Sequence, residues 1–269
     1  MSEPKEQTLE VWGNKVETKV LTKGSGPPLV FLHGAMGLTW DPFLEQLSES
    51  FTVYAPYLPG TAPGLPDAIK PIDNLWDLVL VYYEIFDKLN LEKPGVVGHS
   101  FGGMLAAELA ATNPERVAKL VLMNPIGLWL DENPVKNWMT TSQLELGPLI
   151  FSDPTGPAAQ LMATPPADPE EGIQMALRTT WSLACTGKFV WPIPDKGLKK
   201  RLHRISSPTL LLWGEDDGIV PPVYADEFAS SIEDTAIQII PKAGHLPQLE
   251  QLEPVVSVTN KFLLSLIHI

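Results

Sequence analysis

The chain has 269 residues, 44% of them hydrophobic and 19% charged, and its 19 basic and 32 acidic residues give a net charge of −13. At ~150 residues per domain this is one large domain, or a core with an insertion; it is long enough to bury a core and too apolar for disorder. A surface this negative repels phosphate backbones and anionic lipid, so neither nucleic acid nor membrane is an expected partner, and the charge itself serves solubility.

Residues 8–22 alternate polar and apolar around Gly13-Asn14 and predict an antiparallel hairpin. Continuous apolar runs follow at 29–33, 52–55, 95–97, 119–123, 209–213 and 236–240. Runs without alternation fit strands buried on both faces, as in a parallel sheet. Between them lie helical patterns at 73–89, opened by an Asp cap candidate, and at 101–112, 221–231 and 251–266. Strand and helix alternate, so the fold class is α/β with a mainly parallel sheet.

The alternation breaks over 127–205, a proline-rich stretch holding Trp129, Trp138, Trp181 and Trp191 and no strand-like run. It reads as an insertion of helices and loops, with 1–126 and 206–269 forming the core. The N-terminus lacks the basic start and apolar run of a secretory signal, and no stretch reaches the ~18 apolar residues that cross a bilayer. Cys185, the single cysteine, sits among apolar and small residues and reads as a buried, inert thiol. The expected setting is a reducing cytoplasm.

Gly98-His99-Ser100-Phe101-Gly102 is a G-x-S-x-G pattern between an apolar strand and an Ala/Leu-rich helix. Chance would supply roughly 0.08 copies of it in this composition. A serine on so tight a strand-to-helix turn needs small neighbours, and the turn lifts its hydroxyl over the sheet edge at a helix N-terminus. The hydroxyl then needs a base. Of five histidines, His99 adjoins Ser100 and points away from it, His33 holds its own loop, and His203 and His268 are surface residues. His245, in Ala243-Gly244-His245-Leu246-Pro247 after the last strand, is the candidate base. Asp217, in the loop Gly214 to Pro221, is the candidate orienting acid, with Asp216 as runner-up; Asn124, at another strand end, is an amide and carries no charge. His33-Gly34-Ala35-Met36-Gly37 closes the first core strand, and a backbone N–H there, with that of Phe101, offers an oxyanion site. No cluster has metal-ligand spacing, so no metal or other cofactor is expected.

Four pieces in order, H-G-x-x-G at 33–37, G-H-S-F-G-G at 98–103, W-G-x-x-D-x-x-V-P at 213–221 and A-G-H at 243–245, resemble the α/β-hydrolase superfamily from about Leu29 to Phe262. The resemblance implies an eight-stranded sheet flanked by helices, with 127–205 as a helical cap. It implies Ser100 as nucleophile, His245 as general base and acid, Asp217 as its orienter, and Ala35 and Phe101 as oxyanion-hole amides. Met36 and Leu246, with Trp129, Trp138 and Arg178 from the cap, are the expected substrate contacts, and Met139, Met162 and Met175 suggest an apolar lid. Residues 57–64 depart from the D-x-P-G-x-G-x-S of many relatives, which alters the substrate entrance.

A serine at the elbow separates the chain from the dehalogenases and epoxide hydrolases of this fold, which use aspartate there. The expected activity is cleavage of small-molecule carboxylic esters. The alternative is C–C hydrolysis of dienoate ring-fission products. Those enzymes usually carry Asn before the serine and Trp after the histidine, where this chain has His99 and Leu246, and Arg178 would anchor their acidic substrate. A non-catalytic ligand-binding scaffold is the alternative from another class; three competent triad positions argue against it. Because the base must be neutral to take a proton, activity is expected to fall in acid.

Overall fold

A computed structural model describes residues 3–192 and 195–265. The sheet has eight strands: β1 (Lys5–Val11), β2 (Val16–Lys23), β3 (Pro28–Leu32), β4 (Thr52–Pro56), β5 (Gly95–His99), β6 (Leu120–Met123), β7 (Thr209–Gly214) and β8 (Thr235–Ile240). Their order is β1-β2-β4-β3-β5-β6-β7-β8. The β1–β2 hairpin is antiparallel and joins β4 antiparallel, and every pairing from β4 to β8 is parallel. Among the described residues nine α-helices accompany it: α1 (Pro42–Leu47), α2 (Leu75–Lys88), α3 (Phe101–Thr112), α4 (Gln143–Ile150), α5 (Pro157–Ala163), α6 (Pro169–Val190), α7 (Val223–Ala229), α8 (Pro247–Glu250) and α9 (Leu252–Leu264).

The central strands read as unbroken apolar runs because both of their faces are covered. Val30, Leu32, Val96, Leu120, Leu122, Leu211 and Trp213 face one hydrophobic cluster with α2, α3 and α7. Their neighbours Leu29, Phe31, Val97, Val121, Met123, Leu210 and Leu212 face a second, with α1 and α9. Successive side chains alternate between faces, so two cores require apolar residues at every position. Each fully buried aliphatic or aromatic side chain contributes ~1.5–3 kcal/mol.

β8 departs from that expectation. It forms the sheet edge, and Ile237 and Ile239 are 41% and 36% exposed, so its apolar run is not buried on both faces. The cap of α2 is also corrected. Asn74, not Asp73, accepts the N–H groups of Trp76 and Asp77 (2.8 and 3.1 Å), while the Asp73 N–H donates to Asp77 (2.9 Å). An Asx side chain in extended backbone at the N-cap satisfies donors that the first turn leaves open. α1 lies outside the helical patterns expected from sequence, although Asp41-Pro42 marks its start: Asp41 Oδ1 accepts the Leu44 N–H at 2.9 Å.

Between β6 and β7 the described residues contain α4, α5, α6 and short 3₁₀ turns, and no strand. α6 buries Ser182, Cys185, Thr186, Phe189 and Val190 near its C-terminal end, while Ile173 and Leu177 stand exposed. Burial pushes the Cys185 thiol up to about 11, in keeping with an inert thiol. His268 lies outside the described residues.

Candidate active site

Ser100 occupies the tight turn between β5 and α3 with φ +54°, a region that L-residues with side chains seldom adopt. The flanking glycines are required by close packing. A Cβ on Gly98 would lie 2.3 Å from the Gly102 carbonyl oxygen, and one on Gly102 would lie 2.0 Å from that of Leu32. The Ser100 N–H is fixed on the Met123 carbonyl at 2.9 Å, so the turn is built against β6 as well.

The His245 Nε2 lies 2.9 Å from Ser100 Oγ, and its Nδ1 lies 2.8 Å from Asp217 Oδ2. All three residues are buried. Asp217 Oδ1 accepts the N–H groups of Ile219 and Val220 at 2.8 and 2.9 Å, and Asn124 Nδ2 donates to Oδ2. Every contact of this carboxylate is therefore with a donor, which suits its ionised form. Asp216, the runner-up, is exposed and accepts the Ser152 hydroxyl at 2.6 Å instead. Asn124 carries no charge and so cannot serve as the acid. Its contribution is to donate to the acid, and its place at the end of β6 was the available signal.

Two further histidines brace the site as neutral groups. His33 Nδ1 lies 2.7 Å from the Gly34 carbonyl oxygen, and its Nε2 accepts the Leu58 N–H at 3.0 Å; burial lowers its pKa to about 4. His99 Nε2 lies 2.7 Å from the His245 carbonyl oxygen, and burial, aided by the neighbouring imidazole, lowers its pKa to about 3. A carbonyl accepts only from N–H, so the contacts assign one tautomer to each ring. His99 thus turns away from the serine hydroxyl, as expected, and holds the backbone of the opposite histidine.

The loop after β3 lies over the serine, since a Cβ on Gly34 would stand 2.9 Å from His99 Nδ1 and 3.5 Å from Ser100 Cβ. Neither the Ala35 nor the Phe101 N–H has a hydrogen-bond acceptor among the described residues, and Phe101 opens α3. Met36 and Leu246 meet in one apolar cluster with Phe151, Ala159 and Met162. Trp129, Trp138 and Met139 pack instead against the larger core cluster. Arg178 is exposed on α6, and Met175 is 40% exposed there. Among the described residues no group of three or more His, Cys, Asp or Glu is arranged to hold a metal, and no helix is long and apolar enough to cross a membrane.

A family model for the "Alpha/beta hydrolase family" matches residues 29–258. The chain belongs to that family. It is a hydrolase of the α/β-hydrolase type, and the sheet order above is that fold in this chain. Among curated relatives of this hydrolase, 2-hydroxy-6-oxo-2,4-heptadienoate hydrolase of Pseudomonas putida is 28% identical over 268 residues, covering 92% of this chain and 93% of that one. Pimeloyl-[acyl-carrier protein] methyl ester esterase of Nitrosomonas europaea is 28% identical over 253 residues, covering 88% and 95%. Among solved structures, the meta-cleavage product hydrolase from Pseudomonas fluorescens IP01 superposes with a TM-score of 0.75 at 20% identity, covering 96% and 97%, a likeness of fold.

Proposed function

We propose that this α/β-hydrolase cleaves small carboxylic esters through an acyl-enzyme on Ser100. The observation that carries the reading is the unbroken relay from Ser100 Oγ through the His245 imidazole to Asp217, at 2.9 and 2.8 Å in a buried setting. In the first half-reaction Ser100 Oγ attacks the ester carbonyl while His245 Nε2 takes its proton, and the amides of Ala35 and Phe101 hold the oxyanion. His245 then protonates the leaving alcohol. In the second half-reaction His245 takes a proton from water, which attacks the acyl carbon, and the proton returns to Ser100 as the acid departs. Asp217 stays ionised, fixes the imidazole tautomer and stabilises the imidazolium, and Asn124 secures the acid by donating to it.

Residues 127–205 act in this reading as the cap. The cluster of Met36, Leu246, Phe151, Ala159 and Met162 joins oxyanion loop, histidine loop and cap, which favours an apolar acyl group. The methyl ester esterase relative supports ester cleavage. The dienoate hydrolase relative favours a second reading, C–C hydrolysis by the same residues. Arg178, exposed on α6, is the residue that would anchor the acidic substrate in that reading.

The test is parallel turnover of a short-chain nitrophenyl ester and a ring-fission dienoate, with Ser100→Ala as control. Ester turnover lowered ~10³-fold or more in the variant supports the proposal. Preference for the dienoate moves the reaction to C–C cleavage, and ester turnover that is equal in the variant removes Ser100 from the chemistry.

A further inference from the structure

Glu250 ends α8, five residues beyond His245, and its side chain folds back onto the histidine loop. Its Oε2 accepts the Gly244 N–H at 2.6 Å, and its Oε1 accepts the N–H groups of Ser152 at 2.9 Å and Asp153 at 3.4 Å. One carboxylate thus ties the residue before the histidine to the segment that follows α4. The last turn of α4, just before that segment, meets both triad loops as well. The His245 N–H donates to the Ile150 carbonyl at 2.7 Å and the Gly218 N–H to that of Leu149 at 3.0 Å. The Ser152 hydroxyl donates to Asp216 at 2.6 Å. Gly244 has no room to move away: a Cβ there would lie 2.2 Å from the Ile150 carbonyl oxygen.

From this network we infer that Glu250 is a positioning residue for His245, through which residues 149–153 hold the histidine and acid loops in register. The inference rests on the reading of His245 as the base. Three successive peptide groups around Gly244 and His245 are each gripped once, by Glu250 at the Gly244 N–H, by Ile150 at the His245 N–H and by His99, whose Nε2–H bonds the His245 carbonyl. Bonds to a carboxylate are the stronger kind, so Glu250 is the dominant grip. Glutamine in its place has one acceptor oxygen for donors that now use two, and its NH₂ meets an N–H head-on. Either the Gly244 or the Ser152 N–H then loses its partner, and the imidazole drifts from Ser100. A displacement of ~1 Å at a reacting group costs up to about 10²-fold in rate.

The experiment compares wild type, Glu250→Gln and Glu250→Asp for folding by circular dichroism, for the rate and saturation constant of Ser100 phosphonylation by a fluorophosphonate, and for the His245 Nδ1 proton by NMR. Aspartate keeps the charge but is too short to reach both Gly244 and Ser152. The expected result is folded variants phosphonylated about tenfold or more slowly at an unchanged saturation constant, with the Nδ1 proton signal broadened or lost. A folded Glu250→Gln with wild-type rate and signal overturns the inference; if it does not fold, the same comparison on Glu250→Asp decides. Should wild type itself resist phosphonylation, the acyl-transfer reading fails and the NMR signal alone judges Glu250: lost in the variant it supports positioning, unchanged it overturns it.

Discussion

The sheet with its loops and the 127–205 segment are held together by different means. In β6 and β7 every residue is buried, and the strands divide their side chains between two cores. α6, with 22 residues, buries five side chains near one end and leaves Ile173, Leu177 and Trp181 at 56%, 57% and 44% exposure. Its buried end joins the main core cluster and is fastened by discrete contacts besides. Phe189 stacks on Phe101 at 6.4 Å, Trp181 Nε1 donates to the Gly60 carbonyl at 2.8 Å, and Lys188 Nζ donates to that of Ile69 at 3.1 Å. The core resists any added atom, whereas the segment is attached at discrete contacts, several of which end on the loops bearing Ser100, Asp217 and His245. A helix that leaves this much apolar surface exposed has a lower local stability than the sheet beneath it.

Substituting glycines is the most direct way to break this comparison. Gly102→Ala would drive a methyl group to 2.0 Å from the Leu32 carbonyl oxygen, where backbone must yield. It is expected to destabilise the protein by ~3 kcal/mol or more, measured by urea unfolding. A loss under 1 kcal/mol would mean that the elbow is looser than its packing indicates.

Acid should act next, and through the core. The His33 and His99 imidazoles have pKa values of about 4 and about 3 when folded, against 6.5 for the free group. Below pH 6.5 the unfolded chain therefore binds protons that the folded one refuses. Each ring's contribution is whole above that pH and declines by ~1.4 kcal/mol per unit as pH falls toward its folded value. Asp41 works the other way, since burial pushes its carboxyl up to about 6 and the folded state gains a proton before the unfolded one does. The sum is a net loss of ~1–1.5 kcal/mol per pH unit between 6 and 4. Stability that holds level over that range would show that the two rings are not confined as neutral groups. His33→Gln and His99→Gln should each flatten the slope.

The smallest effect belongs to the segment. Gly147 lies within α4, with nothing inside 4 Å of an added Cβ. Gly147→Ala should stabilise that helix by ~0.5–1 kcal/mol, the reverse sign to the same change at Gly102, and is read by hydrogen exchange in 143–150. Destabilisation would place hidden packing around α4.

Much of this division can be read from the chain. Strands buried on two faces announce themselves as apolar runs, and the G-x-S-x-G turn has a steric reason that the pattern carries with it. What escapes are features set by partners remote in sequence. β8 has the apolar run of a central strand, but its being an edge depends on which strand comes last in the sheet. Asn124 has its role only because the end of β6 lies beside Asp217, 93 residues away. Glu250 resembles any surface carboxylate until Ser152, 98 residues distant, is brought against it. The direction in which α6 turns Arg178 is likewise set by the fold, and charge and helical context do not encode it.

The account turns on Ser100 being the atom that is acylated. Rapid mixing with a slowly deacylating nitrophenyl ester, followed by intact-mass and peptide-mapping analysis, tests it directly. The expected result is one acyl group per chain on Ser100, absent from Ser100→Ala and formed far more slowly in His245→Ala. An acyl group on any other residue, or ester turnover that persists undiminished in Ser100→Ala, would contradict it.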